Sequence, residues 1–273
     1  IAEQYNGSSW TEVGDLNTAR KGIQGLGTTT AAIAASGRSA PGPWIANVES
    51  WDNSSWTEIA DVNTAKAQGG SAGTSTSGLI YGGYPDKTAD TESWDGSSWT
   101  EVANLSSAKV AMARAGVSNL SALSSAGYDG SSNLNATEEW SFSGLDPSTT
   151  PAADYADAIT GDFYYNSTTG QFKTVNTGGA PLGSWSSGGS INQTRSGMGR
   201  SMGGTLTAGI IHGGIESSAR ALTELYDGTS WTESGDMSAA VRNHAATGTQ
   251  TAASAISGTS GPGALVATVE NFN

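Results

Sequence analysis

The chain has no cysteine, two histidines, and only 12 lysines and arginines in 273 residues. Without cysteine there is no disulfide, no thiolate metal ligand and no thiol nucleophile. The two histidines, His212 and His244, leave little from which to build a metal centre or a general base. Twelve scattered cations face 25 acidic residues, a net charge of −13, which excludes a phosphate-tracking nucleic-acid surface and attraction to an anionic membrane. No apolar run approaches the roughly eighteen residues of a membrane helix, so membrane insertion is not expected. The stretch from Ile1 to Trp10 lacks the basic and apolar regions of a secretion signal. Leu, Ile, Val and Phe together are also scarce, about 14% of residues, a composition bordering on that of disordered chains.

Against these absences stand 38 glycines, nine tryptophans and eight tyrosines, set at intervals that repeat. Aligned on the tryptophan after a turn, the copies are YNGSSW ending at Trp10, WDNSSW at Trp56, WDGSSW at Trp99, a shorter PLGSW at Trp185 and YDGTSW at Trp231. They lie 46, 43, 86 and 46 residues apart. The shorter spacings match one four-stranded propeller blade and the long one matches two. A basic residue follows ten positions after the first four tryptophans, at Arg20, Lys66, Lys109 and Arg195, and eleven after the fifth, at Arg242. Next comes a small-residue apolar run closed by glycine, as in GLIYGG at 78–83 or AGIIHGG at 208–214, which reads as a short buried strand. A further strand ends in an acid and an aromatic: Glu49 and Trp51, Glu92 and Trp94, Glu138 and Trp140, Glu224 and Tyr226, Glu270 and Phe272. A DG or NG turn then reverses the chain into the tryptophan strand. Four strands per repeat, almost no helix, and a core of Trp, Tyr, Ala and small residues are expected.

A base opening the innermost strand, a glycine pair closing the second, an aromatic in the third and a tryptophan in the fourth resemble the kelch repeat. The pair is intact at Gly82-Gly83 and Gly213-Gly214 and reduced to Gly37, Gly127 and Gly258 elsewhere. The low-complexity style of SSWTEV, DLNTAR and GLGTTTAAIA is similar to kelch-type repeats of marine-phage virion and tail-associated proteins. The fold this implies is all-β, a kelch-like β-propeller, with five four-stranded blades as the first choice. Six blades with one degenerate, or parts of two propellers, also fit the spacing. The chain starts on the third and fourth strands of a blade and ends on the first three of another. The strand of Trp10 is therefore expected to complete the blade begun by 242–272, a Velcro closure that removes the open edge. The third strand would then be present twice, at 3–6 and 270–273.

The repeat fails once, after Trp140, where LDPSTTPAADYADAIT leads to GDFYYNSTTGQFKTV, two aromatic strands around an STTG turn. It resembles a hairpin module of phage fibre-type proteins. Residues 1–144 and 181–273 are thus read as propeller blades, three repeats and two, and 145–180 as an inserted linker and hairpin, with a degenerate blade or a seam between propellers as the alternatives.

Catalysis finds little support. Carboxylates such as Glu92, Asp95 and Glu101 recur in every blade, and an active site breaks symmetry, so these belong to turns and inter-strand bonding. SWDGSSW places its Asp four residues before the Trp, where the sialidase Asp box has five. The glycine-rich stretches lack the GK[ST] of a phosphate loop. His212 is expected as a packed strand residue and His244 near the channel; neither marks a metal site, and no cofactor is expected. The basic residues should bond carbonyls or carboxylates of neighbouring blades. What differs between blades is the loop after the second strand, which carries the aromatics Trp44, Tyr84 and Tyr128 outside the repeat pattern. These are the candidate ligand-binding residues, since exposed aromatics beside Asn and Asp hold sugar rings. The resemblance implies a non-enzymatic structural or adhesive virion module, a tail fibre or surface appendage, extracellular, with other virion proteins or a host-surface glycan as partners. It would act as a homo-oligomer or within a larger chain. A protein-interaction scaffold is the alternative reading, and a glycan-active enzyme the third.

Overall fold

The turn organises each repeat. The carboxylate of Asp95 accepts hydrogen bonds from the backbone N–H groups of Ser97 and Ser98, both at 2.8 Å, and Asp52, Asp129 and Asp227 do the same in their own hairpins. Those donors, Ser98 foremost, hold the Asp95 carboxyl at about 2. An aspartate two or three residues ahead of free N–H groups stabilises a tight turn in this way, and the hairpins then zip outward from it.

The computed structural model describes residues 1–39, 42–142, 163–166, 171–174, 183–199, 203–261 and 263–273, among which there is no helix. The chain is an all-β, five-bladed propeller of four-stranded antiparallel blades, the fifth of which shows three laddered strands among the described residues. It opens with the hairpin β1 (Ala2–Tyr5) and β2 (Trp10–Val13). Blade 1 contains β3 (Arg20–Lys21), β4 (Gln24–Gly27), β5 (Ala32–Ser39), β6 (Trp44–Trp51) and β7 (Trp56–Ile59); β3 and β4 both pair with β5, sharing the innermost position. Blade 2 is β8 (Gly70–Gly73), β9 (Gly78–Gly83), β10 (Thr88–Trp94) and β11 (Trp99–Val102). Blade 3 is β12 (Ala113–Ser118), β13 (Ser121–Tyr128), β14 (Asn133–Phe142) and, beyond the separate hairpin β15 (Phe163–Asn166) and β16 (Gln171–Thr174), β17 (Gly183–Gly188). Trp140 stands opposite Trp185 in the β14–β17 ladder, so residues 143–182 lie between the third and fourth strands of blade 3. Most of the 145–180 segment falls outside the described residues. Blade 4 is β18 (Gly203–Thr205), β19 (Ala208–His212), β20 (Thr223–Tyr226) and β21 (Trp231–Glu233). The fifth takes β22 (Ala245–Thr249), β23 (Ala252–Ile256) and β26 (Val269–Phe272), with a small hairpin of β24 (Thr259–Ser260) and β25 (Ala264–Leu265) between the last two.

The expected strand closure is not what the ladders show. Trp10–Val13 pairs with Ala2–Tyr5, and among the described residues no ladder joins either to β26. The reason is the duplicated third strand: β26 already occupies the place beside β23, and the N-terminal pair keeps its local hairpin.

The core lies between blades. Leu26, Ile33, Val48, Ile80, Trp94 and Trp99 pack blade 1 on blade 2; Leu79, Tyr81, Met112 and Trp140 pack blade 2 on blade 3; Leu123, Ile191, Ile211, Tyr226 and Trp231 pack blade 3 on blade 4. Fourth-strand indoles lock these three junctions, Trp99 N–H donating to Ala60 O, Trp185 to Thr91 Oγ1 and Trp231 to Thr137 Oγ1. Aromatic area substitutes for the scarce branched aliphatics. Gly70 is required by this packing, since a Cβ there would lie 2.0 Å from the Tyr81 ring. Gly70→Ala is expected to lower unfolding free energy by about 1–3 kcal/mol through overpacking, measured by urea denaturation.

Candidate functional site

At the axis, one left-handed residue from each blade forms a belt: Gly22, Gln68, Ala111, Gly197 and Asn243, with φ from 52° to 71°. Gln68 N–H donates to Gly22 O, Ala111 to Gln68, Gly197 to Ala111 and Asn243 to Gly197, at 2.7–3.1 Å. Among the described residues no bond joins Gly22 N–H to Asn243 O, so the belt is open between blades 5 and 1. The space inside it, bordered by Ile23, Met112, Arg114 and Met198, is only about 20 Å³. That is room for about one water rather than for a substrate.

Around the belt run the conserved-looking charges of the repeat. Arg20 pairs with Glu49 at 2.5 Å, Lys66 with Glu92 at 2.9 Å, Lys109 with Glu138 at 2.7 Å and Arg195 with Glu224 at 2.7 Å, each base fully buried. Base and acid belong to the same blade, not to neighbours as expected, because the acid sits on the third strand directly beside the entry of the first. Each glutamate also accepts backbone N–H groups of the inter-blade linker, as Glu92 does from Asn63 and Thr64. These groups are therefore spent on one another. In the fifth blade the equivalent position is Val241, which accepts from Gly214 N–H as Lys109 O does from Gly83 N–H. Arg242, one residue out of phase, makes no ion pair among the described residues. Its eleven-residue spacing was the visible sign.

The histidines are not in the channel. His212 and His244 are both buried, stacked with centroids 4.9 Å apart, with Nδ1 of His212 2.8 Å from Nε2 of His244. Burial pushes both down to about 4, helped in His212 by the Arg195 cation and in His244 by His212. Among the described residues no group of three or more potential ligands could hold a metal ion.

The loop face gathers the aromatics. Tyr84 and Tyr128 leave the second strands of blades 2 and 3 at equivalent places, bridging to Ala67 and Val110. Trp44, half-buried, stacks on Tyr84 across the blade boundary at 5.9 Å and 20°, and the Arg38 guanidinium lies 5.3 Å from the Trp44 ring. Tyr128 stands apart, its hydroxyl donating to Gly130 O at 2.7 Å, where a Cβ on Gly130 would strike the Lys87 side chain. Asn133 Nδ2 continues the strip to Ile215 O of blade 4. Two of the three candidates thus form one platform, with Arg38 as a partner that sequence reading did not select; Arg38 is the blade 1 counterpart of Tyr84, bridging Lys21, which the repeat alignment could have revealed.

The solved structure of YjhT matches this chain with a TM-score of 0.69, over 99% of this chain and 89% of that one, at 13% identity. At that identity the likeness is one of fold alone. No family profile and no curated protein sequence matches the chain.

Proposed function

We propose that the chain is a non-enzymatic binding module of kelch-like type, a structural or adhesive part of a phage virion that holds a host-surface glycan on its loop face. The supporting observation is the division of labour among side chains. Carboxylates and cations of the repeat neutralise one another inside blades 1 to 4, whereas Trp44, Tyr84 and Arg38, which do not repeat, meet on one platform. Stacked rings offer an apolar edge to a sugar face, and the guanidinium offers planar donors to its hydroxyls. Because Trp44 and Tyr84 lie against each other, they present one continuous edge rather than a sandwich. The fold itself carries none of this assignment. A broad glycan array probed with the chain should show retention that Trp44→Ala and Tyr84→Ala each abolish while the melting temperature shifts little. No retained glycan, or retention indifferent to both substitutions, overturns the proposal; capture of a protein ligand lost in the same variants would transfer the surface to a protein-interaction scaffold.

A further inference from the structure

Two segments of this chain have the same form. Ala2-Glu3-Gln4-Tyr5 and Val269-Glu270-Asn271-Phe272 both carry an acid two residues ahead of an aromatic, the third-strand pattern of every blade. Glu3 faces Glu12 and Tyr5 faces Trp10, as Glu92 faces Glu101 and Trp94 faces Trp99. β26 ladders to β23 and has no fourth strand among the described residues; β1 has a fourth strand, β2, and no second. We propose that the hairpin β1–β2 exchanges with β26 for the place beside β23, closing the ring with a complete four-stranded fifth blade.

An empty tryptophan position carries the argument. Between blades 4 and 5 a cavity of about 70 Å³ is bordered by His212, Thr223, Met237, Ala253 and Phe272. Their counterparts at the junction of blades 2 and 3, Tyr81, Thr91, Leu105, Ala122 and Trp140, surround the Trp185 ring, which lies 4.8 Å from Tyr81 and 5.7 Å from Trp140 and donates to Thr91 Oγ1. Trp231 makes the same bond to Thr137. In the exchanged form Trp10 is the fourth-strand residue at this point, its N–H reaching Thr223 Oγ1. As it stands, Trp10 is 49% exposed, far more than the 7% and 5% of Trp99 and Trp231.

The seam on the other side shows the same incompleteness. A cleft of about 630 Å³ separates blade 5 from blade 1, with Tyr5, Trp10 and Val13 of the hairpin on its wall beside Ala246, Ile256 and Val269. Among the described residues the buried indole N–H of Trp56 has no partner there, and the axial belt is open at this junction. The hairpin is already at the rim of the place it would enter. It moves as a unit because its Asn6 turn and four-pair ladder are internal, and Glu3 would accept the N–H groups of Ser238 and Ala239 that Glu270 now accepts.

The absence of cysteine makes the test clean. Asn271 stands opposite Ser254, and the exchange puts Gln4 there. Antiparallel partners fall within disulfide reach. The full chain carrying Gln4→Cys with Ser254→Cys, and separately Asn271→Cys with Ser254→Cys, would be oxidised mildly and read by mass spectrometry. Both pairs should close within one chain. In the unsubstituted protein, hydrogen exchange should be faster for the laddered amides of 269–272 than for those of the equivalent strand 223–226. Closure of the Asn271–Ser254 pair alone, closure of the Gln4–Ser254 pair only between two chains, or equal protection of the two strands each overturns the proposal.

Discussion

Replacing Glu92 by alanine should cost about 3–5 kcal/mol of unfolding free energy, a large share of the roughly 5–15 kcal/mol that holds an ordinary domain folded. The carboxylate is buried, its side chain 2% exposed, and receives Lys66 Nζ at 2.9 Å, Asn63 N–H at 2.7 Å, Asn63 Nδ2 at 3.0 Å and Thr64 N–H at 3.3 Å. Removing it strands a fully buried ammonium and two linker amides with no water to replace the lost acceptor. The pair itself need not be a net source of stability, because burying two charges costs about as much as their attraction returns. A second variant separates these ideas. Lys66→Met with Glu92→Leu removes both charges but leaves the two linker amides without their acceptor, so it should recover only the part of the loss due to the stranded ammonium, whereas Glu101→Ala on the exposed face of the fourth strand should change stability by no more than about 0.5 kcal/mol. Urea denaturation of the three variants decides. A loss under about 1 kcal/mol for Glu92→Ala would mean that the ion-pair ring is peripheral to folding.

How much of this was legible in the sequence follows from what repeats. The period, the turn aspartates and the tryptophan strands are local, so a 43- to 46-residue spacing led to five blades as the first choice, with six or parts of two propellers still open. The buried ion pairs were legible as residues but not as partners, because base and acid are 26–29 positions apart and only the folded blade shows that they are neighbours. The reduced glycine pairs looked like decay and are not. Ser36, Gly82, Ala126, Gly213 and Ser257 all take φ between 56° and 65°, so the left-handed turn survives loss of the first glycine in three blades. Ser36 offsets the strain by donating to Ile45 O and accepting from Lys66 N–H. Closure was misread because pattern alone cannot say which of two equivalent third strands wins one place. Of the loop face, the aromatics stood out by breaking the repeat, but the stacking of Trp44 on Tyr84 joins residues of different blades and had no local signal.

Acidification should destabilise the chain well before its carboxylates titrate, and the histidine pair is the cause. His212 and His244 fold with values near 4 against 6.5 for the free side chain. A group depressed on folding binds more protons unfolded than folded between those limits, so stability is complete above about pH 6.5 and falls as the pH drops toward 4. Each histidine contributes a slope of at most about 1.4 kcal/mol per pH unit, and the stacked pair at most about 6 kcal/mol over two units. The neighbours do not reverse the sign: Arg195 depresses His212 further, Glu270 raises it only partly, and His244 is depressed by His212. Blades 2 and 3 supply the control. Tyr81 and Met112 occupy the places of His212 and His244 and share one packed cluster, the Tyr81 hydroxyl donating to Leu123 O. His212→Tyr with His244→Met therefore copies a solution the protein already uses. Urea midpoints taken from pH 7 to pH 5 should fall steeply in the unsubstituted chain and stay nearly level in the double variant. The window lies above the titration of the turn aspartates, which are held below the usual carboxylate range. A level profile in the unsubstituted chain, or the same slope in both, would show that the two imidazoles are not held neutral by their burial between blades 4 and 5.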